Sequence, residues 1–232
     1  MSDSTHNATK SMLTVTGRVT LNGFYDGVTE LSDDVRAQWQ ALAFDHESFL
    51  GDVGLSVPAG EQDRTPLEMI WSRPTCEVNG IQGGYTGEGF KTVLPSLASA
   101  KISFRLVGTQ DPNAIHQAFM DHVNARLPAD VTAEFPNGRG DMASQMSIED
   151  PAFEAARQAL SDEWDDPAAF IGCGGSIPIA GHFKTILGMD SLLIGFGCDD
   201  DQLHSPNEKY DLKSFHKGTR SWARVLDRLT KS

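Results

Sequence analysis

Alternating apolar and polar residues predict a half-buried strand over residues 98–107. Its apolar positions are Ala98, Ala100, Ile102, Phe104 and Leu106. A helix is expected next, because Asp111 is a capping residue, Pro112 suits the first turn, and apolar residues then recur at helical spacing through Leu127. The run VTAEF, residues 131–135, predicts a second strand. A strand, a helix and a strand with one solvated sheet face indicate a small α+β layer.

The second half of the chain alternates helical periods with short apolar runs. Asp150 and Pro151 open a helix that is expected through Trp164, and the run 177–188 predicts a helix closed by Gly188. The runs AAFIG, 168–172, and SLLIGFG, 191–197, predict strands, the second covered on both faces. A last helix carries one apolar stripe, namely Phe215, Thr219, Trp222, Leu226 and Leu229. This β-α-β-α order predicts a fragment of a parallel sheet with helices packed on it.

The remaining segments show a weaker pattern. Residues 1–75 predict peripheral helices and loops, with a helical period of Val35, Trp39 and Leu42 behind the capping candidate Ser32. A glycine-rich polar segment, residues 136–147, separates the two halves. We therefore expect two domains, residues 1–140 and 141–232. The expected fold class is a mixed one of helices and strands, α/β in the broad sense and α+β in type.

Charge and cysteine content narrow the class of protein. The 232 residues include 32 acidic and 19 basic ones, a formal net charge of −13, which disfavours nucleic acid and anionic membranes as partners. No apolar run reaches the roughly 18 residues that span a bilayer, and no signal peptide is recognisable. The odd set of Cys76, Cys173 and Cys198 favours a reducing compartment. We expect a cytoplasmic protein.

Two loops carry candidate chemistry, because ligands of open α/β sheets bind beyond the carboxyl ends of the strands. In GCGGSIP, Gly174 and Gly175 allow close backbone approach, and Ser176 precedes a helix whose free amides favour a carboxylate. The alternative is a tight turn with a capping serine. In the loop after residue 197, His204 is a candidate metal ligand or a solvated histidine, and residues 199–201 are three aspartates that suit a solvated acidic loop.

Three stretches taken together resemble a known family. They are GGYTGEGFKTVLPSLASAKISFRLV, GGSIPI and LIGFGCDDDQLHSPNEKYDLKSFHKGT. In order and spacing they resemble the C-terminal half of the dinuclear zinc metallopeptidases of family 20, which include carnosinase-like dipeptidases, succinyl-diaminopimelate desuccinylase and glutamate carboxypeptidases, with the dipeptidase branch most similar. The resemblance runs from about Gly17 to the C-terminus. It implies a partial ferredoxin-like lid and dimerisation domain, followed by the C-terminal part of an α/β catalytic domain.

The resemblance also implies roles for individual residues. His204 matches the family's last ligand to a pair of zinc or manganese ions. Thr92 matches a lid residue that can reach the site of a neighbouring subunit, and a homodimer is expected. The free carboxylate of a small peptide substrate would be held by the matching loop and arginine, namely Gly174, Gly175, Ser176 and Arg105. The other reading of Arg105 and Thr92 is that of ordinary strand residues.

Other family features are missing from the chain. The family has a His-x-Asp motif for the first metal ligand and a Glu-Glu pair for the general base, and neither motif occurs in the 232 residues. We therefore assign no catalytic residue. We expect weak or no zinc binding and no activity from the chain alone, as for a hydrolase half that needs its N-terminal half. The alternatives are a non-catalytic dimerisation module and, least favoured, a thiol enzyme using Cys173 or Cys198.

Overall fold

The computed structural model describes residues 11–42, 44–136, 138, 140–173 and 177–231. The helices and strands in chain order are α1 (Asp33–Ala41), α2 (His46–Gly51), α3 (Pro66–Trp71), β1 (Thr75–Gly83), β2 (Ala98–Arg105), α4 (Pro112–Asn124), α5 (Pro151–Ser161), α6 (Pro178–Leu187) and α7 (Leu212–Leu229), with a 3-10 turn at Asp199–Asp201 before α7. None of the helices in this described part is both long and apolar enough to cross a membrane.

The chain folds into two compact units. The first comprises Met1–Gln145 with Gly172–Gly181, and the second comprises Met146–Ile171 with His182–Ser232. Segment 172–181 therefore belongs to the first unit, although the sequence analysis placed it in the second domain. The division into domains 1–140 and 141–232 stays a prediction.

An antiparallel hairpin of β1 and β2 forms the sheet of the first unit. Cys76 lies opposite Phe104, and Thr75 lies opposite Arg105, with an irregularity between Val78 and Gly80. The alternation predicted for β2 is confirmed at its C-terminal end, where Phe104 is half-buried and Arg105 is exposed. Ala100 is exposed, however, and the strand ends at Arg105 and not at residue 107. The strand predicted over residues 131–135 is wrong, since this run pairs with no described strand.

The core of the first unit joins the start of the chain to the hairpin and α4. Val19, Leu21, Phe24 and Ile115 form its buried centre, and half-buried side chains such as Phe104 pack against it. Helix α4 begins as predicted, with Asp111 accepting a hydrogen bond from the Asn113 amide at 2.9 Å and proline in the first turn. It ends at Asn124, before Leu127. The prediction of a peripheral N-terminal region is wrong for residues 19–24, because they supply three of the four buried residues at the centre of this core.

The first unit also contains an ion-pair network centred on the buried pair of Glu61 and Arg73. The Arg73 guanidinium donates to Glu61 Oε2 at 2.5 Å, and both side chains are buried. Arg73 also donates to Glu30 at 3.0 Å, and Arg64 donates to Glu30 at 2.6 Å. Burial alone would raise the pKa of Glu61, but hydrogen bonds from Arg73 and Tyr25 hold this pKa below its usual value. The same environment, chiefly burial, raises the pKa of Tyr25 to about 12.

Close packing of α5 against α7 organises the second unit. Ala156 and Ala159 of α5 meet Val225 of α7 in a buried cluster. Asp150 caps α5 as predicted, by accepting from the Ala152 amide at 2.8 Å, although the helix ends at Ser161 and not at Trp164. The stripe predicted on α7 is only partly the packed one. The residues that α7 buries are Ser214, Gly218, Ser221 and Val225.

The two apolar runs of the second half are not strands in this structure. Residues 168–172 and 191–197 have no helix or strand assignment, and the sheet among the described residues is the β1–β2 hairpin. Leu192 and Ile194 pack against the α5–α7 cluster, whereas Leu193 is exposed. Segment 191–197 is therefore covered on one face and not on both. Among the described residues it also lacks a neighbouring strand with which to pair.

Replacing Glu61 by alanine tests the buried network. The Glu61→Ala variant should lose about 3–5 kcal/mol of stability at neutral pH, because the Arg73 charge would stay buried without its main partner. The matched Glu30→Ala variant, whose side chain is 58% exposed, should lose less than about 1 kcal/mol. Urea unfolding followed by circular dichroism measures both. Equal losses in the two variants would contradict the assignment.

The same pair predicts a pH dependence. The pKa of Glu61 is lower in the folded chain than its usual value, so its contribution to stability is present above about pH 4.3 and is lost as the pH falls through the folded pKa. The stability difference between the wild type and Glu61→Ala should therefore shrink on acidification below about pH 4. A stability difference between the two proteins that grows on acidification would contradict a lowered pKa of Glu61 in the folded chain.

Candidate functional site

The candidate metal ligand lies in a tight, irregular loop between residue 197 and α7. The chain makes a 3-10 turn at Asp199–Asp201 and then passes through left-handed backbone at Gln202, His204 and Asn207, with φ of 55°, 63° and 63°. Such angles are uncommon for residues other than glycine. The loop therefore has a conformation that its surroundings must hold in place.

Asp201 anchors this loop from the inside. Its side chain is fully buried, and its Oδ2 accepts a hydrogen bond from the Cys198 amide at 2.8 Å. Its Oδ1 accepts from Lys209 Nζ at 3.3 Å. The bond from the Cys198 amide, helped by Lys209 and opposed by burial, holds the pKa of Asp201 below its usual value. The buried carboxylate is therefore ionised and paired at neutral pH.

Lys209 ties the two ends of the loop together. Its ammonium group lies 2.9 Å from Asp200 Oδ2 as well as reaching Asp201, and its backbone amide donates to the Asp201 carbonyl at 3.0 Å. These acidic partners, Asp200 first, raise the pKa of Lys209. Asp201 and Lys209 thus close residues 201–209 into a small ring of contacts, and His204 lies in its middle.

His204 is exposed at the tip of this ring. Its backbone amide donates to Glu208 Oε2 at 3.3 Å, so this hydrogen bond holds the main chain of His204 and not its imidazole. An exposed imidazole is a suitable zinc ligand, but a closed zinc site needs three or four protein ligands. His204 fits a metal site as one donor to an ion that is held mainly by other groups.

The neighbouring acidic residues form a separate group. Ligand atoms of Cys198, Asp200 and Asp201 lie within 4.8 Å of one another, and among the described residues His204 is not a member of such a group. Both Asp201 oxygens already accept hydrogen bonds, and Asp200 pairs with Lys209. The described aspartates of this run therefore support the loop and are engaged with protein partners, and the expectation of a solvated acidic loop is wrong for the buried Asp201.

The other predicted site residues lie elsewhere in the fold. Arg105 is at the end of β2, and Thr92 is exposed in the connection between β1 and β2. Both belong to the first unit, whereas His204 belongs to the second. Gly174, Gly175 and Ser176 lie outside the described residues. Helix α6 follows them and ends as predicted before Gly188, which has φ of 65°.

Sequence reasoning missed the two residues that shape the loop. Asp201 looked like one of three solvated acidic residues, and Lys209 carried no signal of its own. The eight-residue separation between a buried aspartate and a lysine is not a recognisable spacing. The clue available in the sequence was local, because an aspartate three residues after Cys198 can accept from that backbone amide.

Much of the chain is similar to proteins that are already known. A family model for the peptidase dimerisation domain matches residues 6–131. The chain is 28% identical over 216 residues to the Cys-Gly metallodipeptidase DUG1 of Candida albicans, covering 88% of this chain and 43% of that protein. It is 27% identical over 222 residues to human Beta-Ala-His dipeptidase, covering 92% of this chain and 43% of that protein. The chain spans less than half the length of these relatives.

Solved structures show the same architecture. An M20 family metallo-carboxypeptidase from Sulfolobus solfataricus superposes with a TM-score of 0.79 at 25% identity, over 97% of this chain and 51% of that one. Human carnosine dipeptidase 1 superposes with a TM-score of 0.78 at 24% identity, over 100% of this chain and 50% of that one. The fold class expected from the sequence is confirmed by these similarities.

Removing the charge of Asp201 tests the loop assignment. In Asp201→Asn, the Lys209 ammonium loses its buried partner, and we expect backbone amides of residues 198–209 to exchange with solvent about tenfold faster. The control Asp200→Asn changes an exposed carboxylate of the same loop and should leave exchange near the wild-type rate. Hydrogen–deuterium exchange read by mass spectrometry measures both. Unchanged exchange in Asp201→Asn would contradict an anchoring role.

Proposed function

Because the chain belongs to the M20 metallopeptidase family through its peptidase dimerisation domain, we propose that it works as part of a metal-dependent dipeptidase. The substrates are short peptides with a free C-terminus. The observation that carries the proposal is the anchored loop 198–209, which presents His204 to solvent and is supported by buried Asp201 and its ion pair with the exposed Lys209. Because this loop is already ordered, metal binding would not have to supply the free energy of ordering the ligand that the loop carries.

Each predicted residue then has a defined task. His204 supplies one imidazole ligand, and a bound zinc or manganese ion would polarise the scissile carbonyl and activate water. Arg105, which is exposed on the open face of β2, holds the substrate's terminal carboxylate together with Gly174, Gly175 and Ser176. Thr92 serves the neighbouring subunit's site. These assignments rest on the family resemblance and on the exposure of Arg105 and Thr92.

The chain needs further groups to hydrolyse a peptide. A pair of metal ions requires bridging and terminal carboxylates and a general base, whereas the 232 residues contain no His-x-Asp and no Glu-Glu. The described aspartates of the His204 loop are paired with Lys209. We therefore propose that these 232 residues alone are inactive and that activity requires the remaining M20 sequence.

A non-catalytic dimerisation module is the second candidate function. It is favoured by the position of the family match, since residues 6–131 lie within the first unit and do not include the His204 loop. Hydrolysis of dipeptides in the presence of the remaining M20 sequence would support the dipeptidase function. Dimerisation without hydrolysis under the same conditions would support the dimerisation module.

A cytoplasmic location fits either function. Among the described residues, Cys76, Cys173 and Cys198 form no disulfide. Burial raises the pKa of the Cys76 thiol to about 11, which keeps it protonated and unreactive at neutral pH. Free thiols are typical of reducing compartments, so we place the protein there.

We expect the chain to form a dimer in solution. The connection between β1 and β2 exposes four large apolar side chains within eight residues, Phe90, Val93, Leu94 and Leu97, and we place the dimer contact there. Leu94→Asp should shift the chain toward monomer in light scattering, whereas Val15→Asp should not, although Val15 is as exposed, at 96% against 95% for Leu94. A wild-type chain that stays monomeric at all concentrations would contradict the proposal.

The second prediction concerns activity. The isolated chain with added zinc or manganese should not cleave dipeptides, and the assembled enzyme should. There, His204→Ala should lower kcat by at least about 100-fold by removing a metal ligand. Arg105→Ala should mainly raise KM, because the arginine would bind the substrate's carboxylate equally in the ground state and the transition state.

A matched control separates these effects from misfolding. His216→Ala replaces an exposed histidine of α7 and should retain wild-type turnover. Robust cleavage by the isolated 232 residues, or full activity of His204→Ala in the assembled enzyme, would contradict the proposed function.

A further inference from the structure

Gly172 lies against the end of helix α3. A Cβ atom at residue 172 would be 2.7 Å from the Trp71 carbonyl oxygen, which is too close for a side chain, so glycine is what lets the two backbones approach in this way. Gly172 is half-buried, and both residues belong to the first unit. In the sequence Gly172 stands two residues before Gly174. The loop that we propose to bind the substrate's carboxylate therefore begins next to a fixed contact with Trp71.

Trp71 is itself held by the neighbouring helices. Its ring packs edge-on against the ring of buried Trp39 in α1, with the ring centroids 5.1 Å apart. Helix α3 starts with a capping box, in which Thr65 and Glu68 exchange hydrogen bonds between side chain and backbone. Just beyond its end, the Ser72 hydroxyl donates to the Glu68 carbonyl at 3.0 Å. The surface against which the loop begins is therefore well supported.

A short segment joins Trp71 to the strand pair that carries Arg105. Strand β1 begins at Thr75, and Thr75 lies opposite Arg105 in the hairpin. The chain from Trp71 to Thr75 spans at most about 14 Å, and the Cα atoms of opposite residues in such a pair are about 5 Å apart. Residues 71–75 thus connect the start of one carboxylate-binding element, at Gly172, with the other one, Arg105.

This connecting segment is held in place at two positions. Arg73 lies in its middle, and its guanidinium is buried and paired with Glu61. Pro74, which is also buried, has a backbone φ that its ring restricts. The buried ion pair therefore holds the segment that separates the two carboxylate-binding elements.

We propose that Gly172 and Trp71 are positioning residues for substrate specificity. Their contact sets where loop 174–176 begins relative to Arg105, so that the loop and the arginine hold the same free carboxylate of the peptide. Two partners on one carboxylate favour a dipeptide with an ionised C-terminus over its neutral amide, because hydrogen bonds to an ionised group are about twice as strong as neutral ones. The role in specificity rests on the proposed function, whereas the contact itself does not.

The first test examines the contact in the 232-residue chain, without any measurement of activity. In NMR spectra of the isotope-labelled chain, the α protons of Gly172 should show a nuclear Overhauser effect to the β protons of Trp71. Gly172→Ala should shift the amide resonances of Trp71 and Ser72, because the added Cβ must displace the Trp71 carbonyl. The matched control Gly51→Ala, where a Cβ would meet no atom within 4 Å, should leave these resonances unchanged.

The second test measures specificity in the assembled enzyme. The quantity is the ratio of kcat/KM for a dipeptide to kcat/KM for its C-terminal amide. Gly172→Ala should lower this ratio at least about tenfold, because misplacing a binding group by about 1 Å can cost about 100-fold in rate. Gly51→Ala should keep the ratio within about twofold of the wild type. A variant that is merely less stable would lower both kcat/KM values and leave their ratio unchanged.

The possible outcomes are distinguishable. A missing Overhauser effect in the wild type, or an unchanged specificity ratio in Gly172→Ala, overturns the positioning role. A wild-type assembly that hydrolyses neither compound contradicts the proposed function, and the role in specificity falls with it, although the contact measured by NMR still stands.

Discussion

The second unit depends on the close approach of α5 and α7. Small residues make this approach possible, since Ala156 and Ala159 face Val225 without a large side chain between them. Gly218 leaves room for the Phe196 ring, which places segment 191–197 against α7. A larger side chain at residue 218 would displace Phe196 and, with it, the start of the His204 loop.

Cys198 connects the packing around α7 to the loop of the candidate site. This residue directly follows the segment that α7 supports, its amide donates to buried Asp201, and its sulfur lies 3.7 Å from Ser214 Oγ of α7. The loop is thus fixed at one end to the helix and at the other to Lys209. His204 gains a fixed backbone position from the contacts of Asp201 and Lys209, and residues that contact a metal ligand from behind commonly orient it in this way.

Local signals in the sequence predicted the helices well. Capping residues and prolines gave the beginnings of α4 and α5, and Gly188 gave the end of α6, because these interactions span only a few residues. Strand pairing is not local, so the runs at 131–135 and 191–197 looked like strands although the described chain provides no partner. For the same reason the role of Asp201, which depends on Lys209 and on burial, was not predictable, whereas the resemblance identified His204 as the candidate ligand.

The central claim is that the contacts of Asp201 and Lys209 hold the loop that carries His204 in one conformation. Amide exchange of the wild-type chain tests it most directly, because the Asp201 and Lys209 amides donate to the Cys198 and Asp201 carbonyls. These two amides are expected to exchange at least about tenfold more slowly than the amides of the exposed residues 89–94, in the connection between β1 and β2. Equal exchange rates in the two segments would contradict the claim.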